Sequence, residues 1–280
     1  MKGYKGFNKG LVCKGKQYAE NTVFEEENAV ICHSGMHFCE NPFDVLDFYG
    51  LLDRNGSENE FAEVEALADV KTDDNKKYCT TKLKIGAKLS LAGFVKACID
   101  FLFEKTSDVE VDDEDETIIS SDENSAKLAS SGDYAQLASS GYSAQLASSG
   151  DSAKLASSGD YAQLASSGYS AQLASSGDYA QLASSGYYAQ LASSGDSAKL
   201  ASSGDYAQIN STGQDAVICC AGRNSKAKAK KGSWITLSEW EWSEEKSRYI
   251  PVCVKTEFVD GEKIKEDTWY QLKNGEFKEV

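Results

Sequence analysis

Cysteine, histidine and paired carboxylates are the side chains whose types and spacing could do chemistry here. Both histidines of the 280-residue chain lie in Cys32-His33-Ser34-Gly35-Met36-His37-Phe38-Cys39. Thiolate and imidazole are the ligands zinc prefers, and Cys13, Cys32, His37 and Cys39 would make a set of four. The spacing is not that of a standard finger, and no Cys-x-x-Cys pair accompanies it. The plainer reading is a strand with His37 and Cys39 packed on one face, and no metal or other cofactor is expected. A second candidate is the acidic pair Glu63 and Glu65, which share a face if Phe61 to Leu67 is a strand.

These residues need a scaffold, and the strongest structural signal lies elsewhere in the chain. Eleven glycines recur nine residues apart from Gly132 to Gly222, in the consensus S-S-G-[DY]-[YS]-A-[QK]-L-A. A fixed short period marks each unit as one step of a solenoid. Asp133 to Ala138 alternates, so Ala135 and Leu137 share an inward face, with Ser139-Ser140-Gly141 as turn. The same holds at Ala144/Leu146, Ala153/Leu155 and onward to Ala216/Ile218. Nine residues are too few for a helix plus a turn, and a disordered tract would not return a Leu or Ile at every period. Two units per coil would set each Leu against a facing Ala in a flat roll, roughly 25 Å tall at the usual strand spacing. Three units would make a triangular helix, which the lag of the variable positions favours slightly. Packing favours the two-sided roll.

The outward rows are candidates for recognition. Asp133, Asp160, Asp178 and Asp205 hold one position, where Tyr142, Tyr169 and Tyr187 alternate with them, and Tyr134, Tyr161, Tyr179, Tyr188 and Tyr206 hold the next. Tyrosine is favoured at interfaces and a repeated surface suits an extended protein partner. The bland alternative is that these rows solvate the sheet and ladder with their own kind. Calcium is not expected, because calcium rolls carry Gly-Gly-x-Gly-x-Asp turns and this turn has one Gly. Ice binding is set aside because Thr212 is the only threonine of the repeat. DNA mimicry, known in pentapeptide-repeat proteins with a similar inward pattern, needs more charge than nine acids against three bases over residues 118–222.

The flanks predict a mainly β protein, with a small α+β N-terminal domain (1–108), an acidic linker (109–117), the solenoid (118–232) and a small all-β cap (233–280). Asn41-Pro42 starts a helix through Tyr49, Lys82 to Ile85 reads as a strand, and Ser90 caps an amphipathic helix carrying Leu91, Phe94, Val95, Cys98, Ile99, Leu102 and Phe103. Lys226-Ala227-Lys228-Ala229-Lys230 would turn alanines inward while lysines cover the last coil. Trp234 to Leu237 and Tyr249 to Val254 read as strands, and Asp260-Gly261 and Asn274-Gly275 as tight turns.

The net charge is −15, which argues against general nucleic-acid binding. No secretory pattern follows Met1, no stretch approaches the ~20 apolar residues of a membrane span, and eight cysteines read as free thiols, so a cytoplasmic protein is expected. A homo-oligomer is compatible with this composition.

Two resemblances add to this. Tyr4-Lys5-Gly6, Gly35-Met36-His37-Phe38-Cys39 ahead of a helix, and Glu63-Val64-Glu65 on a strand resemble in outline the ADP-ribosyltransferase fold. The resemblance implies that Glu65 stabilises a ribosyl cation and Glu63 positions the acceptor, although Lys5 stands where a His or Arg would be. The flanks also resemble a family of uncharacterised proteins from bacteriophages and gut Firmicutes that surround short repeats. Its matching stretches are Lys5-Gly6-Phe7, Cys13-Lys14-Gly15, Ser34 to Val45, Ile85 to Ser90 and Val259 to Tyr270. That likeness implies a phage or prophage setting inside a host cell and assigns no activity. The leading expectation is a non-enzymatic interaction protein with a protein partner, a host defence component among them, and the rival is an ADP-ribosyltransferase-like enzyme.

Overall fold

The computed structural model describes residues 1–53, 57–106 and 118–280. The linker assigned to 109–117 and the Phe103 side chain lie outside what is described. The chain divides into two compact units, Met1–Phe101 and Leu102–Val280.

The N-terminal unit is built from β1 (Lys2–Phe7), β2 (Val12–Cys13), β3 (Lys16–Gln17), β4 (Val23–Glu25), β5 (Met36–Cys39), α1 (Pro42–Val45), β6 (Glu60–Ala66), β7 (Val70–Thr72), β8 (Lys77–Thr80), β9 (Lys82–Leu89) and the start of α2 (Leu91–Thr106). Seven strands make one sheet in the order β4-β9-β6-β1-β5-β8-β7, and β2 and β3 form a separate hairpin. Alternation places Phe7, Met36, Phe38, Val64, Leu83 and Ile85 in a common core with Tyr18. Asn41 starts α1 as expected, its Oδ1 accepting from Phe43 N–H (2.9 Å) with Pro42 following. The regular helix is shorter than the sequence predicts: it ends at Val45 and continues to Tyr49 as turns. Ser90 caps α2, its Oγ accepting from Gly93 N–H (3.1 Å), and Phe94 stacks on Phe61 of β6 at 4.0 Å.

The second unit is the solenoid. Its strands are β10 (Ile118–Ser121), β11 (Lys127–Ser130), β12 (Gln136–Ser139), β13 (Gln145–Ser148), β14 (Lys154–Ser157), β15 (Gln163–Ser166), β16 (Gln172–Ser175), β17 (Gln181–Ser184), β18 (Gln190–Ser193), β19 (Lys199–Ser202), β20 (Gln208–Ser211), β21 (Val217–Cys220) and β22 (Lys226–Lys228). Alternate strands pair in parallel, Leu137 with Leu155 and Leu146 with Leu164, so two nine-residue units make each coil. The result is a flat two-sheet roll. Ala135, Leu137, Ala144, Leu146 and their repeats fill one continuous core between the sheets.

The boundary between strand and turn differs from the sequence expectation. From β11 to β20 each strand begins at the Gln or Lys, not at the Asp, and takes in the Ser three residues on. That serine is inward, and at Ser139, Ser148, Ser157, Ser166, Ser184 and Ser202 its Oγ accepts from the glycine N–H two residues on, as Ser157 does from Gly159 (3.3 Å). The chain reverses through Gly-[DY]-[YS], with the [YS] residue left-handed at φ 55–60°, as at Tyr134, Ser143, Tyr161 and Tyr179. Reversal into the opposite sheet within so few residues requires that left-handed step, which an extended Asp-Tyr segment cannot supply. The glycines themselves serve a different purpose: a Cβ on Gly168 would stand 1.9 Å from the carbonyl oxygen of Gly150, one coil below. Only glycine lets successive turns stack this closely.

The C-terminal strands are β23 (Trp234–Ser243), β24 (Arg248–Phe258), β25 (Tyr270–Lys273) and β26 (Glu276–Glu279). They continue the solenoid's own sheets, β23 pairing in parallel with β21 and β25 antiparallel with β22. Both turn expectations hold: Asp260 Oδ1 accepts from three backbone N–H groups, and Asn274-Gly275 closes the β25–β26 hairpin with both residues at positive φ. Ala227 and Ala229 are inward as expected. Lys226 and Lys228, however, do not cover the coil from solvent; they are buried, with their ammonium groups 5.3 and 5.4 Å from the Trp269 ring. Their long apolar stems favour this, since an aromatic face can cover the stem while attracting the charge.

Candidate functional site

Two places bring the sequence-predicted residues together. The first is in the N-terminal unit. β1 pairs with β5 at Tyr4 and Cys39, and the two strands then part. A cavity of about 280 Å³ is lined by residues of β1, β5, the β2–β3 hairpin and the turns after α1. Gly6 allows this wall to close, because Tyr49 packs directly on it, leaving no space for a Cβ. The Tyr49 hydroxyl then donates to Cys13 Sγ (3.1 Å).

Four lysines line the cavity (Lys5, Lys14, Lys16 and Lys77) against a single carboxylate, Glu26. Lys16 is paired with that carboxylate at 2.6 Å, and Glu26 also accepts from Gly35 N–H (3.0 Å). Lys77 donates to Cys32 Sγ (3.0 Å), and its ammonium lies 4.8 Å from the Phe48 ring centroid. That thiol contact comes first among the influences that raise the Lys77 pKa. Lys5 differs from the rest in being 4% exposed. Its Nζ donates to the His37 carbonyl (2.7 Å) and sits 5.5 Å from the rings of Phe7 and Tyr18. No carboxylate among the described residues pairs with it. Burial therefore pulls its pKa below the usual lysine value, with neighbouring Cys13 acting in the opposite sense. Burial also lowers the pKa of His37, reinforced by Lys5, Lys14 and Lys77, so its imidazole is neutral at pH 7. Its Nε2 accepts from Cys32 N–H (3.1 Å).

All four of the zinc-type residues, Cys13, Cys32, His37 and Cys39, line this one cavity. They do not converge on a point: among the described residues no group of three or more His, Cys, Asp or Glu is placed to hold a metal ion. Strand alternation accounts for part of this, since His37 and Cys39 lie on one face of β5 while Cys13 and Cys32 come from separate turns. Tyr4, Lys5, Gly6, Gly35, His37, Phe38 and Cys39 also meet here. Glu63 and Glu65 do not. On β6 they stand cross-strand from Tyr4 and Lys2, Glu63 is exposed, and neither lines the cavity. Lys14, Lys16, Tyr18, Glu26, Tyr49 and Lys77 escaped sequence reading because they sit in turns and short strands without periodicity.

The second place is the pair of edges where the solenoid turns. One edge carries Tyr142, Tyr161 and Tyr179, with Tyr161 and Tyr179 stacked at 4.9 Å and 12°. The other carries Tyr134, Tyr169, Tyr187, Tyr188 and Tyr206, with Tyr188 and Tyr206 stacked at 5.1 Å and 16°. All are exposed. The aspartates between them do structural work. Asp178 Oδ1 accepts from Asp196 N–H (2.8 Å), 18 residues on, and Asp133, Asp160, Asp196 and Asp205 repeat the pattern. Each carboxylate thus ties one turn to the next. The outward residues between the edges differ by sheet: Gln145, Ala147, Gln163 and Ala165 are exposed, whereas Gln136, Ala138, Lys154 and Ala156 are buried.

Asp205 has a further partner. The Arg223 guanidinium pairs with it, and Arg223 also donates to the Tyr187 hydroxyl (3.2 Å) and stacks 4.0 Å from the Tyr249 ring. Partial burial by itself would raise the carboxyl's pKa, but Arg223 outweighs it and holds the value below the ordinary one. The pair therefore stabilises the fold above the unfolded pKa of about 3.9 and loses that contribution as pH falls through the folded value. We expect wild type to lose more thermal stability between about pH 5 and pH 2 than Asp205→Asn, measured by circular dichroism melts.

Residues 1–97 match a family model described as a domain of unknown function (DUF7666), and the whole cavity lies within that stretch. No curated protein and no solved structure matches the chain. Among the described residues no helix is long and apolar enough to cross a membrane.

Proposed function

We propose that this chain is a non-enzymatic interaction protein whose β-solenoid is a rigid rod that offers its tyrosine edges to a protein partner. The observation that carries this is the stacking of exposed tyrosines in ranks along both edges. Eight exposed aromatic rings (Tyr134, Tyr142, Tyr161, Tyr169, Tyr179, Tyr187, Tyr188 and Tyr206) are more than solvation of a sheet requires. Seven of them touch a neighbouring ring, and their hydroxyls can bond peptide carbonyls and their rings can take cationic side chains. The acidic balance of residues 118–222 points to a basic partner surface. The resemblance of the flanks supports a phage or prophage setting in the host cytoplasm, with a host defence component as one class of partner.

The repeat supplies its own control, because serine holds the left-handed position at Ser143, Ser152, Ser170 and Ser197. Tyr161→Ser, Tyr179→Ser, Tyr188→Ser and Tyr206→Ser should therefore fold. Cross-linking of the full chain in host lysate, read by mass spectrometry, should map a partner onto the tyrosine edges of wild type. The fourfold variant should lose that cross-link. An unchanged cross-link pattern would sink the reading.

The rival, ADP-ribosyl transfer, draws on the meeting of Tyr4-Lys5-Gly6 with Gly35, His37, Phe38 and Cys39 at one cavity, but its acidic pair lies outside that cavity. Transfer of label from NAD to lysate proteins by wild type and not by Glu65→Ala would revive it.

A further inference from the structure

The cavity of the N-terminal unit has an imbalance that its own protein contacts leave open. In a chain of net charge −15, it gathers four lysines and one carboxylate, and that carboxylate is already bonded to Lys16 and Gly35 N–H. Burying an ammonium without a carboxylate is costly, and Lys5 is buried with a carbonyl, two ring faces and the Cys13 and Cys39 thiols for company. Lys5 is among the residues that line the cavity. Lys14 stands exposed on the turn between β2 and β3, close enough to depress both Lys5 and His37 electrostatically. Around these cations the wall is aromatic: Tyr4, Tyr18, Phe38, Phe48 and Tyr49. A pocket that is apolar and aromatic with a few polar or charged groups is the usual form of a small-molecule site, and here those groups are mostly cations. Its volume of about 280 Å³ suits a compact molecule and excludes a long polymer.

We propose that this cavity binds a small organic phosphate, its phosphate held by Lys5 and Lys14 and its flat unsaturated body lying on Tyr4, Phe48 and Tyr49. Phosphate supplies the counter-charge that no carboxylate gives Lys5, and Lys77 lines the same cavity with its ammonium on Cys32 Sγ. The aromatic wall selects a phosphate ester that carries a ring over inorganic phosphate. This site is independent of the solenoid edges and would stand if the docking reading failed.

The test is isothermal titration of the full chain with AMP, ribose 5-phosphate, inorganic phosphate and NAD. AMP should bind with a Kd of about 10–100 μM, inorganic phosphate at least ~10-fold more weakly, and the AMP affinity should fall as salt rises. Lys5→Met and Lys14→Ala should each weaken AMP by ~10-fold or more. Lys14 is exposed on a turn, so its variant keeps the fold even where the buried Lys5→Met destabilises it. Three results would overturn the proposal: no heat from any phosphate ester at about 1 mM, equal affinity in wild type and Lys14→Ala, or preference for NAD over AMP, which would return the cavity to the ribosyl-transfer reading.

Discussion

Gly177→Ala should destabilise the solenoid by about 4 kcal/mol, whereas Ser170→Gly should change its stability by less than about 1 kcal/mol. The expectation inverts the usual role of glycine in a turn. Gly177 does not hold the left-handed residue; Tyr179 does, at φ 58°. A Cβ on Gly177 would stand 2.1 Å from the Gly159 oxygen and 2.4 Å from its carbonyl carbon. Both are backbone atoms of the neighbouring coil, fixed by bonds such as Ser176 N–H to Ser157 O (2.9 Å), so neither can step aside as a side-chain tip could. Relief requires the coils to separate, which breaks that bond and opens the Ala/Leu core beneath. At Ser170 the opposite holds. Its φ of 57° strains any residue with a Cβ, so glycine relieves the turn and the added freedom of the unfolded chain offsets the gain. Urea titration of both variants, with hydrogen exchange to locate the opening, measures the contrast. Equal losses would show that the nine-residue glycine serves backbone conformation after all.

Trp269→Ala should cost about 3–5 kcal/mol and promote self-association. Trp269 is 7% exposed and covers Lys226 and Lys228 on β22, the last solenoid strand of its sheet. Next to it Tyr270 is fully packed in the core, and its hydroxyl accepts from Lys265 N–H (2.9 Å). The β25–β26 hairpin depends on this anchor to cover the β22 edge, with Trp269 O also accepting from Val280 N–H (3.1 Å). Loosening it leaves a paired-up stack of parallel strands with a bare end, which is a template for another chain. Trp242 is the comparison. It is half exposed at the far end of the β23–β24 ribbon, and Trp242→Ala should cost under about 1 kcal/mol. Denaturant midpoints and light scattering on both variants decide the matter. A Trp269→Ala protein that stays monomeric and as stable as Trp242→Ala would remove the capping role.

Much of this architecture was legible residue by residue. The inward faces of Ala135/Leu137 and their repeats follow from a period-two side-chain rule applied to a nine-residue period. The helix starts at Asn41-Pro42 and Ser90 and the turns at Asp260-Gly261 and Asn274-Gly275 were legible because each rests on local hydrogen bonds or local φ preference. Local chemistry could not choose between two and three units per coil, since both bury the same residues. The choice lies in how sharply the chain reverses at Asp133-Tyr134, and Tyr is not a residue whose type announces a positive φ.

The outer rows and the cavity show the same limit. Asp178 and its equivalents looked like surface acids by type, yet each accepts a backbone N–H from the coil above. Lys5 entered the sequence reading as a lysine where a His or Arg would stand, and nothing in its type or spacing announced that it is buried. By itself the sequence determined the period, the inward ladder and the mainly β class, because these depend on spacing along one strand. Only the tertiary structure decided the two-sided roll, the stacking duty of the glycines, and the gathering of Lys5, Lys14 and Lys77 around one cavity without Glu63 and Glu65. Those depend on which segments meet, and burial and charge compensation are properties of the meeting, not of any residue alone.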